Sequence, residues 1–490
     1  AAFLAIKKAG ELIDMSKHKG EHPRMGATDV CPLIPIANIS MEETAAYAQA
    51  LAKRVGEELQ LPVYLFEDAQ PDKKRSNLST IRNGEYEGFA SKILLPEWKP
   101  DFGPAVFDEK RGATVIGARD FLVAYNINLN TTSTRRANAI AFDVREAGRN
   151  IEENGVMVNK PGSLKSVKAI GWFIEEYGVA QISINLTNIN ITPLHIVFDE
   201  VCKKAEARGI RVTGSELVGL IPLKAMLDAG SYFLKKQQRS VGVSEKELIK
   251  IAVKSMGLDE LAPFKPEERI IEYLLANKTD QQMARMSLAD FAAETASESP
   301  APGGGSIAAY VGSLGISLAC MVANLSAHKK GWDNRWEEFS IWAQKAQEYK
   351  NELLKLVDED TIAFKKMMEA FALPGNSPAE KETRNVAIQS ATRNAIDTPF
   401  KVMQLSLASM EIIKAMAQIG NPNSVSDAGV GALCARSAVL GAFMNVRINA
   451  ASYNDKSYVH DILARGTVIE KTAIDEEATI LKMVNEKIGV

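Results

Sequence analysis

Cysteine is scarce in this chain. Only four occur in 490 residues, Cys31, Cys202, Cys320 and Cys434, and no two form a CxxC pair. That scarcity argues against a disulfide framework and against a structural zinc site, and it fits a reducing, cytoplasmic setting. Histidine is rarer than in most chains of this length, with five residues, so imidazole chemistry has a short list of candidates. Charge of one sign is missing too. A net charge of -3 gives no electrostatic case for nucleic acid as a partner. There is no HExxH, no GxSxG and no glycine loop followed by GK[ST], which removes the common zinc-peptidase, hydrolase and nucleotide-binding signatures. Uncharged runs are few. Residues 306–327, SIAAYVGSLGISLACMVANLSA, have the length of a membrane span, but their Ala, Gly and Ser content predicts a closely packed buried helix and no membrane insertion. The opening AAFLAIKKAGELIDMSK reads as an amphipathic helix, without the basic and apolar regions of a signal peptide.

What is present is ordinary for a globular protein: 46% apolar and 24% charged residues, at a length of two to four domains. Two textures divide the chain. The first 265 residues or so mix strand and helix patterns, and the remainder is helical. The charged, Pro-bearing stretch APFKPEERIIEYLLANKTDQQ (262–282) is the natural linker. Between 120 and 218 the order is strand (121–129), helix to about 147, two strands within 166–188, a helix closed by Gly209, and a strand from 211. This βαββαβ order is the split-βαβ, ferredoxin-like unit. The front shows part of a similar unit: a helix (1–15), a strand (29–37), a helix opened by a capping box at Ser40 to Glu43, and a strand (62–69). If the two units mirror each other, the opening strands of the first lie upstream of residue 1. Ser287 to Asp290 is a further capping signature, and apolar periodicity over 339–371, 402–418 and 430–449 predicts long packed helices.

Four places carry candidate chemistry. His22 sits in Glu21-His22-Pro23-Arg24-Met25-Gly26, where Pro23 and Gly26 stiffen and turn the backbone. A histidine held there can shuttle protons near neutral pH, although a solvated loop histidine fits the same residues. In the helix 350–371, Leu353, Leu356, Val357, Phe364, Met367 and Met368 form an apolar stripe, and Asp360 falls inside it, with Asp358 and Glu359 to its sides. A buried acid has a raised pKa suited to proton transfer, unless a cap or an arginine satisfies it. Pro300-Ala301-Pro302-Gly303-Gly304-Gly305-Ser306 precedes the uncharged helix and is either an anion-facing helix start or a tight turn between domains. The fourth is a loop from Trp98 to Arg119, through Gly103, Pro104, Ala105, Val106, Phe107, Asp108, Glu109, Lys110, Arg111 and Gly112, which is either a ligand loop or a connection. His195, between Leu194 and Ile196, reads as a core or helix-end residue, and His18 as exposed.

Several stretches together resemble the formimidoyltransferase-cyclodeaminase family, bifunctional folate enzymes of histidine degradation. They are MSKHKGEHPRMGATDVCPLIP (15–35), DFGPAVFDEKRGATVIGAR (101–119), YNINLNT (125–131), SELVGLIPLKAMLDA (215–229), PAPGGGS (300–306), LVDEDTIAF (356–364) and FMNVRINA (443–450), in family order over nearly the whole chain. The resemblance implies an α/β, ferredoxin-like transferase half followed by an all-α cyclodeaminase domain. The implied division is an N-terminal sub-domain (1–119, with its opening strands lying further upstream), a second sub-domain (120–268), a linker (269–285) and a helical domain (286–490). The transferase moves a formimino group from formiminoglutamate to N5 of tetrahydrofolate. The cyclodeaminase closes the ring to 5,10-methenyltetrahydrofolate and releases ammonia. By motif, His22 matches the transferase's catalytic histidine, 103–112 its folate loop, and Asp360 the cyclodeaminase acid. Gly303, Gly304, Gly305 and Ser306 would lie close to the folate, and Lys329 and Lys330 are candidates for a polyglutamate tail. The family implies tetrahydrofolate, in polyglutamylated form, as co-substrate, no metal or nucleotide, and a homo-oligomer. Two other readings stay open: a cyclodeaminase with an inactive front half, and a non-catalytic scaffold.

Overall fold

The computed structural model describes residues 1–19, 24–276 and 283–489. The front α/β part runs α1 (Ala2–Leu12), β1 (Val30–Leu33), α2 (Met41–Leu59), β2 (Val63–Glu67), α3 (Leu78–Ile81), α4 (Glu85–Lys92) and β3 (Thr114–Ala118). Its strands are parallel in the order β1-β3-β2. The capping box that opens α2 is present, with the Ser40 side chain accepting from Glu43 N and the Glu43 side chain from Ser40 N.

The central strand, β3, lies within the stretch 98–119 that the sequence presents as one loop. All five of its residues are buried. One face of the sheet packs Leu65, Ile116 and Ala118 on Ala48, Ala52 and Val55 of α2. The other packs Tyr64, Phe66 and Val115 on Met25, Ile81 and Phe89. A parallel strand covered on both faces is apolar throughout and lacks the alternation that marks a half-exposed strand.

The second α/β part runs β4 (Val123–Leu129), α5 (Thr134–Val144), β5 (Arg149–Glu153), β6 (Val156–Lys160), β7 (Val167–Ile174), β8 (Val179–Leu186), α6 (Leu194–Glu206), β9 (Val212–Val218), α7 (Leu223–Lys236), α8 (Glu245–Met256), α9 (Pro266–Arg269) and α10 (Ile271–Leu275). Its four-stranded sheet has the order β7-β8-β4-β9, which is the ferredoxin-like arrangement of the expected βαββαβ unit. Inserted in it is the antiparallel β5–β6 hairpin, turned by Asn154 and Gly155 at φ 54° and 81°. Both values are left-handed, as a two-residue hairpin turn of this kind demands.

The start of the expected linker is structured. Ile270 bridges to Ile221, Ile271 is buried, and the Tyr273 hydroxyl donates to Glu245 at 2.6 Å. Residues 277–282 lie outside the described residues.

The helical part comprises α11 (Leu288–Thr295), α12 (Gly304–Ala327), α13 (Trp336–Phe371), α14 (Pro378–Ile419), α15 (Val425–Ala450) and α16 (Lys456–Ile488). Ser287 caps α11 as its signature predicts. α12 packs on α13, α14 and α15. Its glycines allow close crossing: a Cβ on Gly315 would lie 2.8 Å from the Gly431 carbonyl oxygen. Two segments, Gly304–Ala327 and Pro422–Ala450, are long and apolar enough to cross a membrane, and 61% of the most apolar window of the first is buried among its neighbours.

By contact density the chain forms two compact units. The first is residues 1–125, 134–172 and 182–193. The second is residues 126–133, 173–181 and 194–490, and within it a loop after α7 docks on the helices. The Gly242 carbonyl accepts from Asn324 Nδ2 at 2.8 Å and Gln347 Nε2 at 3.2 Å. A Cβ on Gly242 would collide with Ala343, so this approach needs glycine.

Candidate functional site

The helical part brings its two sequence candidates together. Asp360 projects from α13 onto the first turn of α12. Ser306 Oγ donates to Asp360 Oδ2 at 2.9 Å, and the Ser306 backbone N–H also bonds the carboxylate. Ser306 is fully buried, with its hydroxyl also 3.0 Å from the Val357 carbonyl and 3.3 Å from Thr361 Oγ1. Gly303, the residue that opens α12, has no side chain to cap the helix. The Asp360 carboxylate takes that role from a neighbouring helix and gains from the positive end of the dipole. Burial pushes its carboxyl above the usual Asp range, and the Ser306 hydrogen bonds pull the other way. Both sequence readings of Asp360 therefore meet at one residue, because it is an acid of raised pKa and also a helix cap.

The glycine run makes this contact possible. A Cβ on Gly305 would lie 2.2 Å from Asp360 Oδ1 and 2.6 Å from its Cγ. A Cβ on Gly304 would lie 3.2 Å from Asn445 Nδ2, and Gly303 has open space beside it. Gly303, Gly304, Gly305 and Ser306 thus form a start to α12 onto which Asp360 and Asn445 converge from α13 and α15. Asn445 lies in FMNVRINA but is not legible there as a site residue, because α15 has no polar face that would mark it.

The α13 stripe holds before Asp360 and needs correction after it. Leu353, Leu356 and Val357 are fully buried, whereas Met368 is 53% exposed and Phe364 and Met367 are half-buried. Asp358, expected at the side, is the more buried acid at 6% exposure, and Asp360 is half-buried. α12 and α14 both pack on α13, and the backbone at Met283 and Ala284 meets it at Asp358. Asp358 Oδ1 accepts from Met283 N at 2.9 Å, so it anchors the chain arriving at the helical part. Burial holds its pKa up against that bond and one from Ala284 N.

In the front half, Gly26 pairs with Gly112 across an antiparallel bridge. Ala113 N donates to the Met25 carbonyl at 3.0 Å and Ala27 N to the Arg111 carbonyl at 2.9 Å. A Cβ on Gly26 would lie 2.1 Å from the Ala113 oxygen, and one on Gly112 2.1 Å from the Met25 oxygen. The end of the HPRMG motif and the end of the loop 103–112 are therefore clamped together. His22 itself lies outside the described residues.

Two charged side chains of that loop, Asp108 and Arg111, and the carbonyls of two more residues hold it in shape. Asp108 accepts from Arg111 N at 2.8 Å and from Arg111 Nε at 2.7 Å. Arg111 Nη1 reaches the Leu59 carbonyl at 2.8 Å and Nη2 the Gln60 carbonyl at 3.3 Å. The Lys110 carbonyl accepts from Met15 N at 2.8 Å, and the Glu109 carbonyl from the Tyr86 hydroxyl at 2.5 Å. Phe107 packs on Tyr86 and Phe89. Gly103, Ala105 and Val106 are exposed, with Pro104 between them half-buried, so this stretch is the part open to a ligand. Gly103, at φ 82°, fits against Leu61 where a Cβ would lie 2.1 Å from the carbonyl oxygen.

The remaining candidates separate from these sites. His195 starts α6, buried, with its ring 4.5 Å from Tyr232, and burial lowers its pKa. His18 is exposed, and its carbonyl accepts from Arg24. Lys329 lies over the Trp332 ring at 4.1 Å, and Lys330 is exposed. Among the described residues no group of three or more His, Cys, Asp or Glu side chains could hold a metal ion.

Comparison with known proteins covers both halves. Residues 1–119 match a family described as formiminotransferase domain, N-terminal subdomain, residues 124–276 match formiminotransferase domain, and residues 287–467 match formiminotransferase-cyclodeaminase. The chain is similar to formimidoyltransferase-cyclodeaminase of Gallus gallus, 42% identical over 99% of this chain and 88% of that protein. It is also similar to glutamate formimidoyltransferase of Thermoplasma acidophilum, 44% identical over 48% of this chain and 74% of the relative. Methenyltetrahydrofolate cyclohydrolase of Methylorubrum extorquens is 32% identical over 40% of this chain and 93% of its own length.

Proposed function

The chain belongs to the formimidoyltransferase-cyclodeaminase family and is a bifunctional folate enzyme of that kind, and we propose that its two reactions run in sequence at two separate places. In the front half, N5 of tetrahydrofolate attacks the amidine carbon of formiminoglutamate and forms a tetrahedral intermediate. N5 loses a proton and the departing glutamate nitrogen gains one. His22 is suited by residue type to both transfers, with folate laid along Gly103, Pro104, Ala105 and Val106.

In the helical half, N10 attacks the formimino carbon. The formimino group reacts as its amidinium, so its nitrogen needs one further proton to leave as ammonia. N10 releases that proton, Asp360 carries it, and the methenyl product keeps the positive charge. The observation that supports this most is the carboxylate held against Gly305 by Ser306, with its pKa raised by burial. The residues Gly303, Gly304, Gly305 and Ser306 let folate approach the backbone closely.

Finer points follow as part of the same reading. The exposed Lys330 and nearby Lys329 serve the polyglutamate tail of the folate. Exposed apolar residues Leu314, Met321 and Leu325 on α12, and Met444 and Ile448 on α15, support assembly into a homo-oligomer. Four free cysteines support a cytoplasmic setting.

The test follows methenyltetrahydrofolate absorbance in two reactions, one from formiminoglutamate plus tetrahydrofolate and one from preformed 5-formiminotetrahydrofolate. Product in both is expected. His22→Ala should abolish the first and spare the second, and loss of both would mark His22 as structural. Asp360→Asn should abolish ring closure with circular dichroism unchanged. Wild-type turnover in that variant would reject the assignment.

A further inference from the structure

Asn445 stands on α15 opposite the start of α12. Its Nδ2 donates to the Gly441 carbonyl one turn earlier at 3.0 Å, which fixes the amide plane. Asn445 is half-buried and its Oδ1 makes no hydrogen bond to the described residues, so that oxygen is open to water or to a ligand. The amide lies against Gly304, where a Cβ would meet Nδ2 at 3.2 Å and Oδ1 at 3.5 Å. The next residue, Gly305, is the one against which Asp360 lies, with Oδ1 at 2.2 Å from its would-be Cβ. Consecutive residues of one helical turn therefore admit a side-chain amide from one helix and a carboxylate from another. Gly303, immediately before them, leaves open space on the same turn. A side-chain acceptor without a partner, set beside an acid, suits a ligand that carries several N–H bonds.

We propose that Asn445 binds the nitrogen that leaves as ammonia: its Oδ1 accepts from an N–H of the formimino group and holds that nitrogen towards Asp360. This rests on the ring-closure reading given above. In that reaction the N10–C bond forms and the C–N bond to the leaving nitrogen breaks. The formimino group enters as its amidinium, so the one proton released by N10 and passed through Asp360 completes the leaving nitrogen as ammonia, and the positive charge stays on the methenyl product. An acceptor at Asn445 keeps the lone pair of that nitrogen free for the proton by engaging one of its hydrogens. It also gives the product ammonium a place to bind.

The full-length chain is assayed with preformed 5-formiminotetrahydrofolate for kcat, KM and inhibition by added ammonium, alongside thermal unfolding. Asn445→Ala should lower kcat/KM about tenfold, the worth of one hydrogen bond of about 1.4 kcal/mol, and weaken ammonium inhibition by a similar factor. Asn445→Asp keeps the shape and offers an anionic acceptor, so it should strengthen ammonium inhibition relative to wild type. Inhibition that is equal in wild type and both variants overturns the proposal. A merely structural role would lower activity without ordering the three proteins by their affinity for ammonium. Should Asn445→Ala unfold, Asn445→Asp against wild type decides. A folded wild type that forms no methenyl product would overturn the ring-closure reading itself, a separate result from equal inhibition in an active enzyme.

Discussion

Replacing Gly305 by alanine adds one methyl group at the closest approach in the helical site. Its Cβ would lie 2.2 Å from Asp360 Oδ1, 2.6 Å from Cγ and 2.7 Å from Oδ2. The carboxylate would have to retreat by about 1 Å, which breaks its bonds to the Ser306 hydroxyl and amide. A displacement of that size at a reacting group is worth about 100-fold in rate. The stability change should be much smaller. Overpacking costs about 1–3 kcal/mol, and alanine in a helix offsets at most about 1 kcal/mol of that. Ring closure of preformed 5-formiminotetrahydrofolate should therefore fall by about two orders of magnitude while the unfolding midpoint drops by a few degrees. Transfer from formiminoglutamate, read as disappearance of that substrate, should persist. Gly429→Ala supplies the control for a helix glycine in the same bundle, because its Cβ would meet only methyl groups of Val484 and Leu481 at 3.3–3.7 Å. Full ring-closure activity in Gly305→Ala, or equal losses in both variants, would refute the assignment of Asp360 and its glycine cradle.

Two further outcomes follow from the same geometry. Because burial raises the Asp360 pKa, the folded chain binds that proton more tightly than the unfolded chain does. The stability this contributes is present below the ordinary Asp range and is lost as pH rises through the raised value. An amide at this position carries no charge to bury, so the thermal midpoint of Asp360→Asn relative to wild type should rise with pH across that window. A difference independent of pH from about 3 to 8 would contradict the burial argument. Arg111→Ala removes the bonds to Asp108, Leu59 and Gln60 and should cost about 1–3 kcal/mol by thermal unfolding. It should impair transfer far more than ring closure, and equal impairment of both would count against the separation of the two sites.

Local signals carry a good part of this molecule. Capping residues at Ser40 and Ser287 start helices where their spacing predicts. Alternating and helical periods between 120 and 218 yield the βαββαβ unit in its ferredoxin-like order. The Asn154-Gly155 turn is equally local, and it closes the β5–β6 hairpin. Likewise Ser377 and Glu380 form a capping box for α14, a helix that accommodates Pro399 in its interior.

What a sequence determines by itself is whatever depends on neighbours a few residues away: caps, turns, the period of a helix or strand, and the motifs that carry a family resemblance. Only the tertiary structure decided the rest. β3 is a central strand because two layers cover it, and no local period records that. Asp358 is more buried than Asp360 and bonds the distant Met283 backbone, while periodicity shows only that a face exists and not what lies over it. The site itself joins Gly305, Asp360 and Asn445 from three helices far apart in the chain. Its geometry comes from how those helices pack, and packing depends on contacts between residues that no spacing along the chain brings together.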